Sequence, residues 1–240
     1  MTSERATIRA VAALDEDLRH GMYAFIRDAH HPVTREEAAA AVGISRKLAA
    51  FHLDKLVAAG LLRARYETAG KVGRAPKVYE PAGTDFAISI PPRRPDVLGS
   101  ILLDAVSSAA PEETARDAAL RAAGQHGAEA GAAERARIRP GRLGTERGLT
   151  VAGAVLARHG FEPSRETPAC VRLRNCPFRP LASRAPDLVC GLTRRFLTGL
   201  LDGLGASGVS ATPVTPPFEG CCVELRGGRN RPSGDPPARS

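Results

Sequence analysis

Sulfur carries the most distinctive chemistry in this sequence. All five cysteines, Cys170, Cys176, Cys190, Cys221 and Cys222, fall in the last third of the 240 residues. Thiolates bind soft metals or undergo redox exchange, and a neutral thiol also packs as a small apolar side chain. Cys176 and Cys190 are separated by thirteen residues. That wide spacing is unlike a zinc ribbon, whose ligands come as close pairs. Three or four thiolates delivered by separate elements suit an iron–sulfur cluster, and Cys176, Cys190, Cys221 and Cys222 are the candidate ligands. Neighbouring side chains on a strand face opposite ways, so only one of Cys221 and Cys222 is expected to join Cys176 and Cys190. Cys170 by itself reads as a core residue. His126 and His159 are expected to face solvent rather than to ligate.

Elements of the same region must position these sulfurs. Residues 150–163 read as a helix that ends at Gly160. "CVRLRNCPF" (170–178) reads as a strand turning at Asn175 to Pro177. "APDLVCGLTRRFLTGLLDGLG" (185–205) is an amphipathic helix with Leu188, Leu192, Phe196, Leu197, Leu200 and Leu204 inward, and Pro186 suits its first turn. "VSATPVTP" and "CCVELRG" supply further strands, the second beginning at the cysteine pair. Residues 112–137 are Ala-rich and predict a solvent-facing helix broken near Gly124 to Gly131. The tail, 227–240, has a disordered composition.

The first third has a different character. Residues 6–29 carry apolar side chains at Leu14, Leu18, Met22, Phe25, Ile26 and Ala29, the spacing of one helix, with "HHP" stopping it. Thr34 and Glu37 stand in capping-box relation. Gly43 suits the left-handed turn after a short helix. Ser45 can cap a second helix that turns Ala49, Leu53 and Leu56 inward. Period-2 alternation then begins at Leu62, a turn-rich tip follows, and "KVYEP" returns as a second strand. Two helices joined by a turn, then a basic hairpin, make a winged helix-turn-helix pattern. Ser45 to Lys77 holds eight basic against two acidic side chains, whereas residues 1–44 hold five against seven. Positive charge thus gathers where phosphate binding needs it. Ser45, Arg46, Lys47 and Ala50 are assigned to the exposed start of the recognition helix. Arg46 and Lys47 suit guanine edges or phosphate, and Lys55, Arg74 and Lys77 suit phosphate. His52 is expected to be packed or hydrogen-bonded.

Between these regions, "TDFAISIPPRRP" reads as a short strand and a Pro-rich elbow. Residues 96–109 give an apolar helical stripe at Val97, Ile101, Leu102, Ala105 and Val106, expected to form a homodimer as two-half-site readers do. The expected fold class is α+β: a winged helix-turn-helix over 1–83, a linker and dimerisation helix over 84–111, a Cys-containing α+β sensor domain over 112–226, and the tail. The net charge of +8 agrees with an anionic partner, though 30 of the 34 basic residues are Arg, which points to coding bias as much as to binding. No apolar run reaches the roughly 20 residues of a membrane span, and the N-terminus lacks secretory-signal order, so a cytoplasmic protein is expected. In that reducing setting clustered Cys favour metal or redox roles. An enzyme is not expected: there is no CxxC, no Gly-rich phosphate loop and no carboxylate–His–nucleophile grouping.

"SRKLAAFHLDKLVAAGLL" followed by "GRAPKVYEP" resembles winged-helix regulators of the ArsR and DeoR-like kind. "NCPF", "LVCG", "FLTGLL" and "GCCVEL" together resemble the sensor domain of the SUF-operon repressor family. The resemblance implies a dimeric regulator of a double-stranded DNA operator, controlled by an iron–sulfur cluster. It places ligands at Cys176, Cys190 and one of Cys221 or Cys222. The fourth ligand departs from the family's spacing. The alternatives are a thiol switch without metal, or a pocket for a small apolar ligand.

Overall fold

An acidic side chain breaks the first helical stretch. Glu16 is extended, and its carboxylate accepts the backbone N–H of Arg19. The expected single helix over 6–29 is therefore two, α1 (Thr2–Ala13) and α2 (Asp17–Ala29). The Arg19 guanidinium turns back to the Ala13 carbonyl, satisfying an end of α1 that the helix itself leaves open. The computed structural model describes residues 2–67, 75–139, 141–214 and 220–228; of the expected features, Lys71, Arg74 and the tail from 229 onward lie outside them. The chain divides into two units, Met1–Ile88 and Ser89–Ser240. Helices and antiparallel sheets make it α+β.

In the first unit, β1 (Val33–Thr34) leads into α3 (Arg35–Ala41), α4 (Arg46–Ala58), β2 (Leu62–Tyr66) and β3 (Lys77–Pro81). The capping box forms as expected: Thr34 Oγ1 accepts from the Glu37 N–H, and Glu37 Oε2 accepts from the Thr34 N–H. Gly43 takes a φ of +69° in the turn between α3 and α4, a conformation that costs glycine least. Ser45 caps α4 by accepting the Leu48 N–H. The three-stranded sheet has the order β1-β3-β2, with Leu62 opposite Pro81 and Tyr66 opposite Lys77. Met22, Ile26, Ala38, Ala49, Leu53, Leu56 and Tyr79 fill the core. Residues 84–90 form no strand; Phe86 instead lays its ring beside Gly60 and packs against that core. The alternation there found no partner strand, so side-chain burial holds the segment.

The second unit comprises α5 (Pro95–Ser107), α6 (Ala115–Ile138), α7 (Thr145–Arg158), β4 (Pro163–Thr167), β5 (Cys170–Leu173), α8 (Arg179–Ala182), α9 (Pro186–Leu204), β6 (Val209–Pro213) and β7 (Val223–Gly227). Its antiparallel sheet has the order β4-β5-β7-β6. The Ala-rich helix is neither broken nor solvent-facing. It runs unbroken through Gly124 to Gly131, and Ala118, Ala119, Ala122, Ala123, Gly127 and Gly131 are buried. A Cβ at Gly127 would overlap the Phe196 carbonyl, and one at Gly203 the Ala128 carbonyl. Small residues on both α6 and α9 thus let the two backbones touch, and the register advances in the same sense along each, so they pack parallel. On α9, Leu192, Phe196, Leu197, Leu200 and Leu204 are buried as expected, with Leu188 half-buried. β4 has no counterpart in the sequence reading: "PSRET" is mostly polar and half-buried only at Pro163 and Ser164, and its pairing with β5 makes it a strand.

Candidate functional site

The cysteine pocket is built at the end of β5. The chain turns at Asn175, which is buried and satisfied on both sides of its amide. Its Nδ2 donates to the carbonyls of Pro92 (2.9 Å) and Gly160 (2.7 Å). Its Oδ1 accepts from the Arg93 guanidinium, which also donates to the Cys176 carbonyl at 3.0 Å. The Arg94 N–H donates to the Pro177 carbonyl. Residues 92–94 are thereby tied to the loop that carries Cys176. Arg179, at the start of α8, donates to the Gly220 carbonyl at 3.0 Å. Gly220 has a φ of +88°, and a Cβ there would meet the Leu173 carbonyl, so only glycine brings Cys221 this close to β5. The Cys221 N–H then donates to that same carbonyl at 2.8 Å.

The result is a cavity of about 140 Å³ lined by Cys176, Cys190 and Cys222 with Arg179, Ser183 and Pro186. The sulfurs of Cys190 and Cys222 stand at disulfide distance, their Cα atoms 6.1 Å apart. The Cys221 thiol donates a hydrogen bond to Cys176. That bond holds the Cys176 thiol down to about 7, helped by the Phe178 N–H and the charges of Arg179 and Arg93 against the opposing effect of burial. The same bond, together with burial, pushes Cys221 well up. Of the adjacent pair, Cys222 lines the cavity beside Cys190, whereas Cys221 is not part of its lining and meets Cys176. Both lie before β7 begins at Val223, where strand alternation does not apply, and each meets a different sulfur.

The donor set is all sulfur and comes from the β5–α8 loop, from α9 and from the approach to β7, which fits cysteine-ligated cluster chemistry. As they stand, however, the sulfurs form two pairs. Among the described residues, no group of three or more His, Cys, Asp or Glu is arranged to hold a metal ion. Cys170 is outside the pocket. It is buried at the start of β5 with its Sγ 3.8 Å from Glu224, and burial followed by that carboxylate pushes its thiol up. The two histidines are half-buried rather than solvent-facing: His126 bonds Asp104 at 2.6 Å, and His159 packs against Phe196 with its Nδ1 2.9 Å from the Val155 carbonyl.

On the first unit, Arg46, Lys47 and Lys55 are exposed on α4, and Ala50 is half-buried. Arg46 lies 3.6 Å from Glu36. Lys77 is already engaged: its ammonium bonds Asp54 at 2.8 Å, which raises its pKa. Arg63 and Arg65 share Glu80 at 3.1 and 3.2 Å. Arg74 lies outside the described residues. His52 is buried as expected, with Nδ1 3.3 Å from the Glu16 carboxylate.

On α5, Leu98, Ile101 and Ala105 turn inward against the second unit's core. Leu102, Leu103 and Val106 are exposed.

Four functional candidates escaped the sequence reading. Arg93, Asn175 and Arg179 act through contacts distant in sequence and left no local signal. Phe51 did leave one, an aromatic off the apolar stripe of its helix.

Fold and site define a two-unit α+β protein with a basic helix face in one unit and, in the other, a small cavity lined by three cysteines with a fourth, Cys221, beside Cys176. No protein-family model, curated protein or solved structure matches the chain.

Proposed function

We propose that this chain is a dimeric DNA-binding regulator of the winged-helix kind. Its affinity for a double-stranded operator follows the state of the sulfurs of Cys176, Cys190, Cys221 and Cys222. The observation that carries this reading is the gathering of four cysteine sulfurs from three separate stretches of the sequence in and beside one small cavity. Cys176, Cys190 and Cys222, with Cys221 as the fourth, would hold an iron–sulfur cluster. Bound there, such a cluster supplies an iron- and oxidant-sensitive centre. Ligation by Cys190 and Cys222 requires their sulfurs to be reduced, which takes two electrons and two protons if they are joined. The pairing of these two also supports a thiol switch that works without metal.

The chain's own residues provide the coupling. Arg93 and Asn175 bind the Cys176 loop to residues 92–94, which follow closely on the end of the first unit at Ile88. A change in the Cys176 loop therefore acts on the connecting backbone. Arg46, Lys47 and Lys55 face the DNA with Ser45 capping their helix, and Lys77 is available once Asp54 releases it. The exposed Leu102, Leu103 and Val106 of α5 support a homodimer. Control by thiol chemistry fits a reducing, cytoplasmic setting.

A second reading is control by a small apolar ligand with no metal. It is favoured by a groove of about 650 Å³ lined by Leu102, Ala105, Val106, Ala119 and Leu188.

Anaerobic purification from iron-replete cells, with iron and sulfide analysis and a visible spectrum, tests the reading. The expected result is a brown protein whose iron and sulfide are lost in Cys176→Ser. A colourless protein whose DNA affinity still responds to thiol oxidation assigns the metal-free switch. A colourless protein indifferent to oxidation leaves the ligand reading.

A further inference from the structure

Phe51 sits at the apex of the exposed face of α4. At 3.6 residues per turn it lies opposite Ala49, Leu53 and Leu56, which are fully buried. Its ring is 55% exposed, although a Phe left in water forgoes the favourable burial it would gain in a core. The side chains around it hold it in place. The Lys55 ammonium lies 5.4 Å from the ring centroid, and the His52 ring meets it edge-on at 5.3 Å. Lys47 and Lys55 stand one turn before and one turn after it, and Leu48, 41% exposed, extends the apolar spot. The acid nearest on the helix, Asp54, is engaged by Lys77.

An exposed apolar ring among cations selects its own partner. The buried centre of a protein–protein interface is depleted in lysine. The major groove of DNA instead presents one apolar group, the 5-methyl of thymine, in the midst of phosphate charge, and Phe is among the side chains that contact it. We infer that Phe51 is a specificity-determining residue that packs on a thymine 5-methyl group in each half-site. Arg46 and Lys47, at the first turn of α4, supply the polar and phosphate contacts around it. This inference rests on the DNA-binding reading above and adds to it a base preference.

The test uses the full chain, purified anaerobically, to select duplexes from a randomised pool. Each thymine of the selected duplex is then replaced by deoxyuridine, which removes only the methyl group. At one thymine per half-site, the replacement is expected to weaken binding about fourfold, the worth of one buried methylene converted to affinity. Phe51→Ala is expected to bind more weakly and to show no further loss at that thymine, while Phe51→Leu retains part of the effect. The salt dependence of Phe51→Ala is expected to match wild type, because no phosphate contact is removed. Equal loss on deoxyuridine replacement in wild type and Phe51→Ala would overturn the inference, as would indifference at every thymine. Failure to enrich any duplex would overturn the DNA-binding reading itself, and the inference with it.

Discussion

In the first unit the candidate binding side chains stand in water, whereas in the second Cys176, Cys221 and Cys222 are buried and Cys190 half-buried. Phe51 is 55% exposed at the centre of the basic face, while Cys176 and Cys221 are 4% and 3% exposed. The two arrangements suit different tasks. A surface helix face can change its partner contacts without changing its fold. A buried pocket cannot change its bonding without moving the backbone around it, because interiors are packed and transmit strain. The regulator proposed above needs one of each, and the pocket is tied to residues 92–94 through Arg93 and Asn175.

The largest expected contrast comes from the α6–α9 contact. Gly199→Val would drive a side chain into the Gly124 carbonyl and cost more than about 3 kcal/mol. Thermal unfolding followed by circular dichroism should show a large fall in Tm, with Phe51→Ala close to wild type. Equal effects of the two variants would erase the contrast between the units.

Next in size is Glu134, a buried carboxylate held by Arg137 and Arg158 at 2.7 Å each. The hydrogen bond from Arg137, aided by the charge of Arg158 and opposed by burial, keeps its pKa below the ordinary carboxylate value. A lowered folded-state pKa means that the stabilisation is complete above the unfolded-state pKa. It is lost as pH falls through the folded one. Denaturant unfolding of Glu134→Gln should show about 1–3 kcal/mol less stability at neutral pH. The difference from wild type should shrink as the solution is made acid. A constant difference across that range would contradict the assignment.

How much of this was legible in the sequence divides along the same line. Capping at Thr34 and Ser45 and the turn at Gly43 depend on neighbours a few residues away, and spacing shows them. Placement at element ends pointed to Cys176 and Cys190 with one of Cys221 or Cys222, and left open that Cys222 is the one lining the cavity. The pairing of Cys176 with Cys221 was not anticipated, because it depends on Gly220 and on where β7 begins. Gly124 to Gly131 looked like helix breakers because their partner, α9, lies some seventy residues further along the chain. Glu16 fell inside the single helix expected over 6–29, since nothing local announces that it will cap the next one.

Smaller effects sharpen the picture of the surface face. Ser45→Ala removes the α4 cap and should cost about 1 kcal/mol of stability in denaturant titrations. Lys47→Ala should leave stability within about 0.5 kcal/mol of wild type. Fluorescence-anisotropy titrations with DNA across a range of salt should show its slope reduced by about one counterion per half-site. A loss of stability without a change in slope would make Lys47 structural.

The most direct test of the central claim measures the affinity of the full chain for its selected duplex, anaerobically and then after thiol oxidation, in wild type and in Cys190→Ser, which removes both a candidate cluster ligand and one sulfur of the close pair. Coupling between the buried sulfurs and the surface helix predicts a change of about tenfold in wild type, within the usual range for linked sites, and none in the variant. An affinity that is indifferent to oxidation in wild type, or that shifts equally in both proteins, would contradict it.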